Sequence, residues 1–483
     1  MVDENKLNLI FIVSDAVRAR NLSIYGYHKD TTPTLSELEP KSIIFDRAYA
    51  CFNATDPSIT SMLTGRYPIT HGITYHGVFT PKDIKEYYIR SNKSLAQILK
   101  SVGYDTLAID WLERWHKDGF DYYAYYGSSK VTWLKRIVKP LISKIPSKYR
   151  TWLHRALMKR IHQANLISAS TLTNHAIKII NKSIEKKRNF FLFLHYWDTH
   201  FPYNCPKEYK KEFLEEGRYS HKKTEEILRL IKNPTIRDYF ASYLKGKTID
   251  EVIAEYDGAI RYVDENIGRI IEFLSKKDLL DSTLIVITSD HGECLGEHGI
   301  YFNHVGLYEE TVHVPLILFC PMLLKKKKRI NAFVQHVDIL PTILDILKVN
   351  INYDYDGKSL LPLIQGKVSE IRPYAIFEEC NIYRKRAIRV EKYKYICIKG
   401  KCSSETLEDD VVEYDSIHVR EELYDLINDP NESFNLVDEK YEIAQSLKEI
   451  LSEREIFMKT KVEKRKVKER IKLLRKKVTK NEF

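Results

Sequence analysis

The sequence predicts an α/β fold with a doubly wound, mostly parallel sheet, helices on both faces and a smaller C-terminal antiparallel-sheet domain. The first observation is a set of continuously apolar runs, which are typical of strands buried on both faces of a parallel sheet. These runs lie at residues 7–13, 104–109, 190–194 and 284–288. The second observation is a helical pattern between them, as at residues 94–102 and 251–275. Strands that alternate with helices indicate the doubly wound class.

The pattern along the chain predicts three segments. A catalytic α/β domain takes residues 1–345 and carries a basic helical insert at about 128–169. Shorter elements after residue 346 predict a smaller α+β domain at 346–455. A basic amphipathic tail is predicted at 456–483.

The positive charge of the chain is concentrated in this tail. The formal net charge is +11, and residues 459–483 alone hold twelve Lys or Arg against three Asp or Glu. The predicted catalytic body is therefore close to neutral, which excludes a nucleic-acid-binding fold as the source of the charge. The insert and the tail are suited to contact with an anionic membrane surface, although a solvated helix fits the same pattern.

The cysteines and the N-terminal residues indicate the cellular compartment of the protein. The seven cysteines are scattered and match no zinc-site spacing, so we expect small buried side chains and no disulfide framework. The first residues lack the pattern of a secretory signal. We expect a cytoplasmic protein, at most peripheral at the inner membrane surface.

Acidic and histidine residues follow three of the predicted strands. Asp15 follows the first strand, His195 and His200 follow the strand at 190–194, and Asp290 and His291 follow the strand at 284–288. In open α/β sheets the carboxyl ends of the strands form the ligand crevice. An Asp in such a place is often only a helix cap, but three segments that converge at one edge favour a site.

Thr55 is predicted to begin a helix. Pro57 favours the first helical turn and Gly65 a stop, so Thr55 lies at or just before the N-terminus, where free N–H groups favour an anion. Its hydroxyl could attack a phosphorus or sulfur centre if a divalent cation lowered the pKa of that hydroxyl. A plain helix cap is the alternative interpretation of this residue alone.

Several ordered segments resemble the sulfatase family of the alkaline phosphatase superfamily. They include LNLIFIVSDAVR, TDPSITSMLTGRYPITHG, SDHGECLGEHG, LYEETVHVPLILF and LYDLINDPNESFNL, and the resemblance covers most of residues 7 to 440. It implies an alkaline-phosphatase-like fold and a metal-dependent ester hydrolase.

Several residues of this chain differ from the family pattern, and these differences affect which reaction the site can catalyse. Family sulfatases carry a Cys or Ser that matures to formylglycine, with Pro and Arg two and four residues later. Here Thr55 stands at that position, Pro57 is kept and Ile59 replaces the Arg. Ala16 replaces the second of two aspartates after the first strand. These changes disfavour formylglycine chemistry.

The resemblance implies a site for one divalent metal ion. Its ligands would be Asp15, Thr55, Asp290 and His291, the last of which stands where formylglycine sulfatases usually carry Asn. Three oxygens and one imidazole suit Mn²⁺, Mg²⁺ or Zn²⁺ better than the carboxylate-rich cage of Ca²⁺, and the ion's identity stays open among these four.

The resemblance also implies the remaining roles. Thr55 is the nucleophile, and His200 or His304 stabilises the transferred group or protonates the leaving oxygen. Arg18 would pair with the site carboxylates or the substrate, and His195 would line the substrate site or orient a neighbour. We expect structural roles for His298 and His313.

The predicted function is metal-dependent hydrolysis of a phosphate or phosphonate ester through a covalent Thr55 intermediate. A sulfuric ester hydrolase is the first alternative, because family resemblance does not fix the substrate. A phospho-group transferase on lipid or surface-glycan intermediates and a non-catalytic binding module are the others. The expected partner is a small-molecule or glycan ester; the oligomeric state is not predicted.

Overall fold

A computed structural model describes the chain over nine ranges. They are residues 7–77, 79–90, 92–126, 167–214, 222–231, 234–321, 328–381, 383–402 and 419–479. The predicted basic insert at about 128–169 lies outside the described residues except for its last three positions, so its membrane role stays a prediction.

Fourteen strands are present within these ranges. They are β1 (Asn8–Ser14), β2 (Ser42–Tyr49), β3 (Asp105–Asp110), β4 (Tyr122–Tyr125), β5 (Phe190–Tyr196), β6 (Thr283–Thr288), β7 (Cys294–Leu295), β8 (Tyr301–Asn303), β9 (Leu316–Phe319), β10 (Lys328–Gln335), β11 (Ala375–Cys380), β12 (Tyr383–Arg389), β13 (Tyr393–Lys401) and β14 (Glu421–Asp425).

Fourteen α-helices accompany them in the same part of the chain. They are α1 (Pro33–Leu38), α2 (Thr55–Thr64), α3 (Pro68–His71), α4 (Pro81–Ile89), α5 (Leu95–Ser101), α6 (Ala169–Glu185), α7 (Lys207–Phe213), α8 (Thr224–Leu230), α9 (Pro234–Leu244), α10 (Ile249–Lys276), α11 (Glu309–Val312), α12 (Ile339–Ile346), α13 (Leu361–Ile364) and α14 (Tyr441–Thr479).

The main sheet has eight strands in the order β10-β2-β9-β6-β1-β5-β3-β4. The neighbours β6, β1, β5, β3 and β4 are parallel, whereas β9 runs antiparallel to both β2 and β6. The mostly parallel sheet confirms the predicted class. All four predicted runs form strands of this sheet, and their ends differ from the prediction by one or two residues.

Both faces of the sheet are buried under helices, which explains the continuous hydrophobicity of the central strands. In β1, Ile10 and Ile12 face one hydrophobic cluster while Leu9 and Phe11 face the other. Helices α6 and α10 cover the first face, and α2, α5 and α12 cover the second. Because each buried Ile, Leu or Phe contributes about 1.5–3 kcal/mol, this double burial fixes where the strand ends lie.

A smaller antiparallel sheet, in the order β11-β12-β13-β14, follows the main one. It meets the catalytic part directly, because Phe52 and Glu378 form a β-bridge and Gly306 N donates to Glu379 Oε1 at 2.9 Å. The antiparallel sheet was predicted, but β14 was not. The domain limits at 345 and 455 stay predictions.

The start of the predicted tail lies inside a longer helix. Residues 456–479 continue one helix, α14, that begins at Tyr441. Met458 and Val462 are buried, and Lys461 Nζ lies 2.8 Å from Asp356 Oδ1. Apolar packing and ion pairs therefore hold residues 458–466 against the body. None of the helices in the described ranges has the length and apolarity that a membrane span requires.

The cysteine prediction is wrong for one pair. Cys380, at the end of β11, forms a disulfide with Cys402, whereas the other five cysteines, all within the described residues, form none. The spacing of the cysteines along the chain had predicted no disulfide framework. The disulfide joins two residues that are 22 positions apart in the sequence. β11 and β13 lie on either side of β12, and the Cα atoms of Cys380 and Cys402 are 5.9 Å apart. The cytoplasmic location stays a prediction.

Candidate active site

The carboxyl ends of β1, β5 and β6 bring the predicted residues together. In the parallel register Val13 lies beside both His195 and Thr288, so the residues that follow share one edge. Asp15, His195, Asp290 and His291 are all fully buried there. Burial of so many ionisable groups is costly unless they are paired or bind an ion.

Asp15, Asp290 and His291 form a group that can hold a metal ion. Their ligand atoms lie within 4.8 Å of one another, and His291 Nε2 is 3.6 Å from Asp15 Oδ1 and 3.4 Å from Asp290 Oδ2. Both carboxylate oxygens of Asp15, and Oδ2 of Asp290, are buried without a hydrogen-bond donor. These orphaned oxygens fit a divalent cation, since native proteins rarely leave buried acceptors unsatisfied.

The pKa values of the two aspartates shift in opposite directions. Burial raises the pKa of Asp290, and the neighbouring Asp15 charge raises it further. Burial acts in the same direction on Asp15, but the imidazoles of His200, His195 and His291 outweigh it and hold the pKa of Asp15 well below its usual range. Two adjacent carboxylates without a cation between them are strained electrostatically.

Backbone contacts fix the tautomer of His291. Its Nδ1 lies 2.9 Å from the carbonyl oxygen of Gly292, which can only accept, so Nδ1 carries the hydrogen. The lone pair of Nε2 therefore points at Asp15, Asp290 and Thr55. An imidazole oriented in this way is a ready metal ligand.

Ala16, directly after Asp15, has a constrained backbone conformation. Its φ is +59°, in the left-handed region that favours glycine. Its N–H donates to Asp290 Oδ1 at 3.1 Å, and Tyr256 OH donates to its carbonyl at 2.8 Å. The backbone of Ala16 thus orients Asp290 although its side chain offers no ligand.

Thr55 is the first residue of α2, as predicted. Its Oγ1 lies 3.5 Å from His291 Nε2, and its side chain is buried. Gly65 ends the helix at φ +65°. The hydroxyl therefore stands beside the metal-binding group at a positive helix end, the place for a nucleophile that attacks an anionic ester.

His200 and His304 complete the imidazole cluster. The ring of His304 lies 4.1 Å from that of His291, and the ring of His200 lies 5.9 Å from His304 and 6.4 Å from His291. Each donates Nδ1–H to a backbone carbonyl, of Phe201 or Asn53, at 2.6 Å. Burial lowers the pKa of both, and neighbouring imidazoles add to the effect. Both imidazoles are therefore neutral at neutral pH and have a free Nε2 lone pair. Each of them would accept a proton before it could donate one.

His195 lies behind the site as an orienting residue. Its Nδ1 is 2.8 Å from Asp110 Oδ1 and its Nε2 is 3.4 Å from Asp15 Oδ2. Burial would lower the pKa of His195, but the carboxylates of Asp110 and Asp15 close to its ring raise it to about 10. The structure supports the orienting alternative; direct substrate contact stays a prediction.

Arg18 does not pair with the site carboxylates, and that part of the prediction is wrong. Its guanidinium lies 2.9 Å from Glu297 Oε1, and it also donates to Asn21 and to the carbonyl of Glu293. The side chain is buried, so it links the β1 loop to the loop after β7. Contact of Arg18 with the substrate stays a prediction.

The sequence did not reveal a second charged group beside Thr55. Asp56 is buried and forms ion pairs with Arg114 and with His76, whose Nδ1 lies 2.8 Å from Asp56 Oδ2. These contacts hold the pKa of Asp56 below its usual range against the effect of burial. Positive φ values at Glu113 and Arg114 bend the loop toward α2. The only sequence signal was the polar cluster after the strand at 104–109.

His313, His298 and a further buried carboxylate that follows β5, Asp198, have structural contacts. His313 Nε2 lies 2.9 Å from the Asp46 carbonyl, and His298 Nε2 lies 3.3 Å from Glu310 Oε2, as expected for structural histidines. Asp198 accepts from Ala169 N at 3.0 Å at the start of α6. None of these three belongs to the imidazole cluster.

Comparison with known proteins identifies the family of the chain. The family model described as Sulfatase matches residues 7–349, and the model described as N-sulphoglucosamine sulphohydrolase, C-terminal, matches residues 296–456. An uncharacterised sulfatase, YidJ, of Escherichia coli is 24% identical over 89% of this chain and 83% of its own length. An N-acetylglucosamine-6-O-sulfatase of Bacteroides thetaiotaomicron is 25% identical over 92% of this chain and 85% of its own.

Two solved structures share the fold. A phosphonate monoester hydrolase of Agrobacterium radiobacter has a TM-score of 0.69 at 20% identity and covers 95% of this chain and 96% of its own. A complex with the substrate D-glucosamine-2-N,6-O-disulfate has a TM-score of 0.68 at 22% identity, covering 94% and 98%.

A buried carboxylate and imidazole group lies beside a helix-terminal hydroxyl at the carboxyl edge of this sheet, an arrangement that could hold a metal ion next to a nucleophile. The family model spans well over half of the chain, so the chain belongs to the sulfatase family, within the alkaline phosphatase superfamily. It is a sulfatase-like ester hydrolase.

Proposed function

We propose that this chain hydrolyses phosphate or phosphonate esters through a covalent intermediate on Thr55, with one divalent metal ion. The observation that carries the proposal is the position of Thr55 Oγ1, 3.5 Å from His291 Nε2 and beside the orphaned oxygens of Asp15 and Asp290. A threonine cannot become formylglycine, so its own oxygen must act as the nucleophile if the site is catalytic.

Asp15, Asp290, His291 and Thr55 would hold the metal ion. When bound, it supplies positive charge that lowers the pKa of a ligating hydroxyl and neutralises the ester's anionic oxygens. The ion's identity stays open among Mn²⁺, Mg²⁺, Zn²⁺ and Ca²⁺; two carboxylates with an imidazole favour the first three.

The chain's own residues carry the proton transfers. Thr55 Oγ1 attacks the phosphorus in line, the ester bond to the alcohol breaks, and the hydroxyl proton passes to Nε2 of His200 or His304. The imidazolium so formed returns this proton to the leaving oxygen. A water molecule then attacks the phosphothreonine, gives a proton to the same imidazole, and the proton restores the Thr55 hydroxyl as phosphate leaves.

In the family pattern an Arg four residues after the reacting residue supplies positive charge. Here other residues supply the positive charge near Thr55. Ile59 is buried in a hydrophobic cluster and offers no charge. Arg114 and His76 form ion pairs with Asp56, the residue that follows Thr55. Burial lowers the pKa of His76, but Asp56 outweighs this effect and raises it. We propose that this pair contributes the electrostatic stabilisation of the transferred group that the lost Arg would have given.

Sulfate-ester hydrolysis is the second candidate. The relatives at 24% and 25% identity are named sulfatases, and one structural neighbour is a complex with a sulfated sugar. The step that releases sulfate from Thr55 disfavours this candidate. A threonine sulfate ester must be opened by attack on sulfur, because the gem-diol that lets a formylglycine sulfatase expel sulfate is not available to Thr55.

Substrate profiling separates the two candidates. Protein loaded in turn with Mn²⁺, Mg²⁺, Zn²⁺ or Ca²⁺ is assayed with p-nitrophenyl phosphate, bis-p-nitrophenyl phosphate, p-nitrophenyl phenylphosphonate and p-nitrophenyl sulfate. We expect kcat/KM for a phosphorus ester to exceed that for the sulfate by about a hundredfold or more, a difference of about 2.7 kcal/mol. Turnover of the sulfate alone would replace the proposal by the second candidate.

A further inference from the structure

The disulfide between Cys380 and Cys402 lies against the residues that precede Thr55. Cys380 packs with Phe52 and Ala54 in a small hydrophobic cluster, and Cys402 packs against that cluster. In the described part of the chain, the core of the antiparallel sheet is a separate cluster that contains neither cysteine of the disulfide. The apolar neighbours of the disulfide are therefore the residues before Thr55 and not the core of its own sheet.

Residues 52–54, which we call the nucleophile segment, lead directly into α2. Ala54 is the N-cap residue of this helix, and its carbonyl accepts from Ser58 N at 3.2 Å. The carbonyl of Phe52 accepts from Ser58 Oγ at 2.8 Å. Because these bonds join the segment to the first turn of the helix, a displacement of the segment moves Thr55 as well.

Strand β11 holds the nucleophile segment through its backbone. Glu378 N donates to the carbonyl of Cys51 at 3.1 Å, and Glu378 forms a parallel β-bridge with Phe52. Cys380 is the last residue of β11, and the disulfide joins it across β12 to Cys402, directly after β13. The cross-link thus fixes the end of the strand against which the segment lies.

The nucleophile segment is also hydrogen-bonded to the loop that carries His304. The carbonyl of Asn53 accepts from His304 Nδ1 at 2.6 Å, and Asn53 Nδ2 donates to the carbonyls of His304 and Gly306 at 2.7 and 3.0 Å. Glu379, next to Cys380, accepts from Gly306 N at 2.9 Å. The end of β11 therefore contacts both the nucleophile segment and the loop of an imidazole that takes part in proton transfer.

We propose that the disulfide between Cys380 and Cys402 is a redox switch, in which the oxidised enzyme holds Thr55 in position for attack and reduction to two thiols lowers its activity. A dithiol reductant attacks one sulfur and forms a mixed disulfide, which its second thiol then resolves. Two electrons and two protons pass to the cysteines while the dithiol becomes a disulfide, and a disulfide oxidant reverses the reaction. Cys402 is partly exposed, which gives a reductant access to the bond. The inference rests on the proposed function, since it takes Thr55 as the nucleophile.

A purely structural disulfide makes a different prediction. It stabilises the fold by constraining the unfolded chain, so its loss lowers Tm without changing kcat at temperatures well below Tm. The switch instead predicts a lower kcat in protein that is fully folded. We expect the reduced protein to stay folded, because α14 packs on the antiparallel sheet through Ala444, Leu447 and Leu451 in the separate core cluster.

Turnover by oxidised and reduced protein tests the switch. The protein is reduced with dithiothreitol, freed of the reagent under nitrogen, loaded with the metal ion and assayed with the preferred ester. Peptide mapping without reductant monitors the disulfide, and circular dichroism monitors folding. We expect reduction to lower kcat about tenfold through poorer positioning of the nucleophile, with KM within about twofold, and reoxidation with glutathione disulfide to restore kcat.

Two variants separate this disulfide from the other thiols. Cys402→Ser should have the kcat of the reduced enzyme under both conditions. Cys205→Ser is the matched control, because it removes a free and partly exposed thiol whose Sγ contacts the carbonyl of Glu255 at 3.6 Å. It should keep the full response to reduction and reoxidation. A response to reduction that persists in Cys402→Ser would assign the effect to another cysteine and overturn the proposal.

Hydrogen–deuterium exchange keeps the test independent of turnover. Mass spectrometry compares peptides that cover residues 50–58 with peptides from β1 in oxidised, reduced and Cys402→Ser protein. We expect faster exchange at residues 50–58 in both forms without the disulfide and unchanged exchange in β1. Absence of the disulfide from the oxidised protein, or unchanged kcat in the fully reduced and folded protein, overturns the switch. If no ester is turned over, the proposed function fails by itself, and unchanged exchange at residues 50–58 is then the result that overturns the switch.

Discussion

Thr55→Ala lowers kcat/KM toward the preferred ester by about 10⁴-fold or more, because it removes the atom that forms the covalent bond. The fold should be unaffected, since Thr55 Oγ1 makes no hydrogen bond in the described structure shorter than its 3.5 Å contact with His291. Steady-state kinetics of the metal-loaded variant, with circular dichroism to check folding, measure this effect.

Thr55→Ser is the matched control. It keeps the hydroxyl at the start of α2 and should retain activity within about tenfold of wild type. Thr55 is buried, and serine lacks its methyl group. Any loss of activity in Thr55→Ser would therefore come from poorer positioning of the hydroxyl and not from removal of the nucleophile. Equal and severe loss in both variants would point to packing, and full activity in Thr55→Ala would reject the nucleophile.

Asp290→Asn removes metal-dependent stabilisation and lowers activity at least about a hundredfold. In wild type, a metal ion at about a hundredfold excess over Kd stabilises the folded state by about 2.7 kcal/mol. In the variant an amide oxygen still accepts from Ala16 N and His291 N, at 3.1 and 2.9 Å in wild type, but the charge facing the metal is lost. Thermal unfolding with and without Mn²⁺ measures the difference.

The metal-free variant should be as stable as metal-free wild type or more stable. Burial and the charge of Asp15 both raise the pKa of Asp290, so its ionised form is disfavoured in the folded protein, and a neutral amide removes that penalty. Asp264→Asn is a control, because Asp264 is buried but accepts from Thr34 N and Leu35 N far from the cluster. It should keep the metal-induced increase in Tm. A normal increase in Asp290→Asn would remove Asp290 from the ligand set.

The main sheet could be predicted because its central strands are buried on both faces. Helix α10 was predicted within two residues at its N-terminus and one at its C-terminus, since its apolar stripe and the Thr248 cap both mark its limits. The edge strand β4 was missed because its residues are exposed or half-buried and show no apolar run. Short strands such as β9 carry too few residues for a period to be recognised.

The site could be predicted where residues follow strands directly, and not where loops fold back. Asp15, Asp290, His291 and Thr55 are close because strand ends and a helix start converge, which the motifs encode. The ion pair of Arg114 with Asp56 depends on a loop bent by positive φ values, which no local pattern shows. Arg18 was misplaced because its partner Glu297 follows β7, far along the chain.

A covalent phosphothreonine at position 55 tests the central claim most directly. Metal-loaded enzyme is mixed with the preferred phosphorus ester, quenched in acid within the first turnovers, digested and analysed by tandem mass spectrometry. We expect the phosphoryl or phosphonyl mass on Thr55 in wild type, and no modified Thr55 peptide from the Thr55→Ala protein. Active turnover with unmodified Thr55 at every quench time, or modification of another residue such as Thr60 or Ser58, would contradict the account.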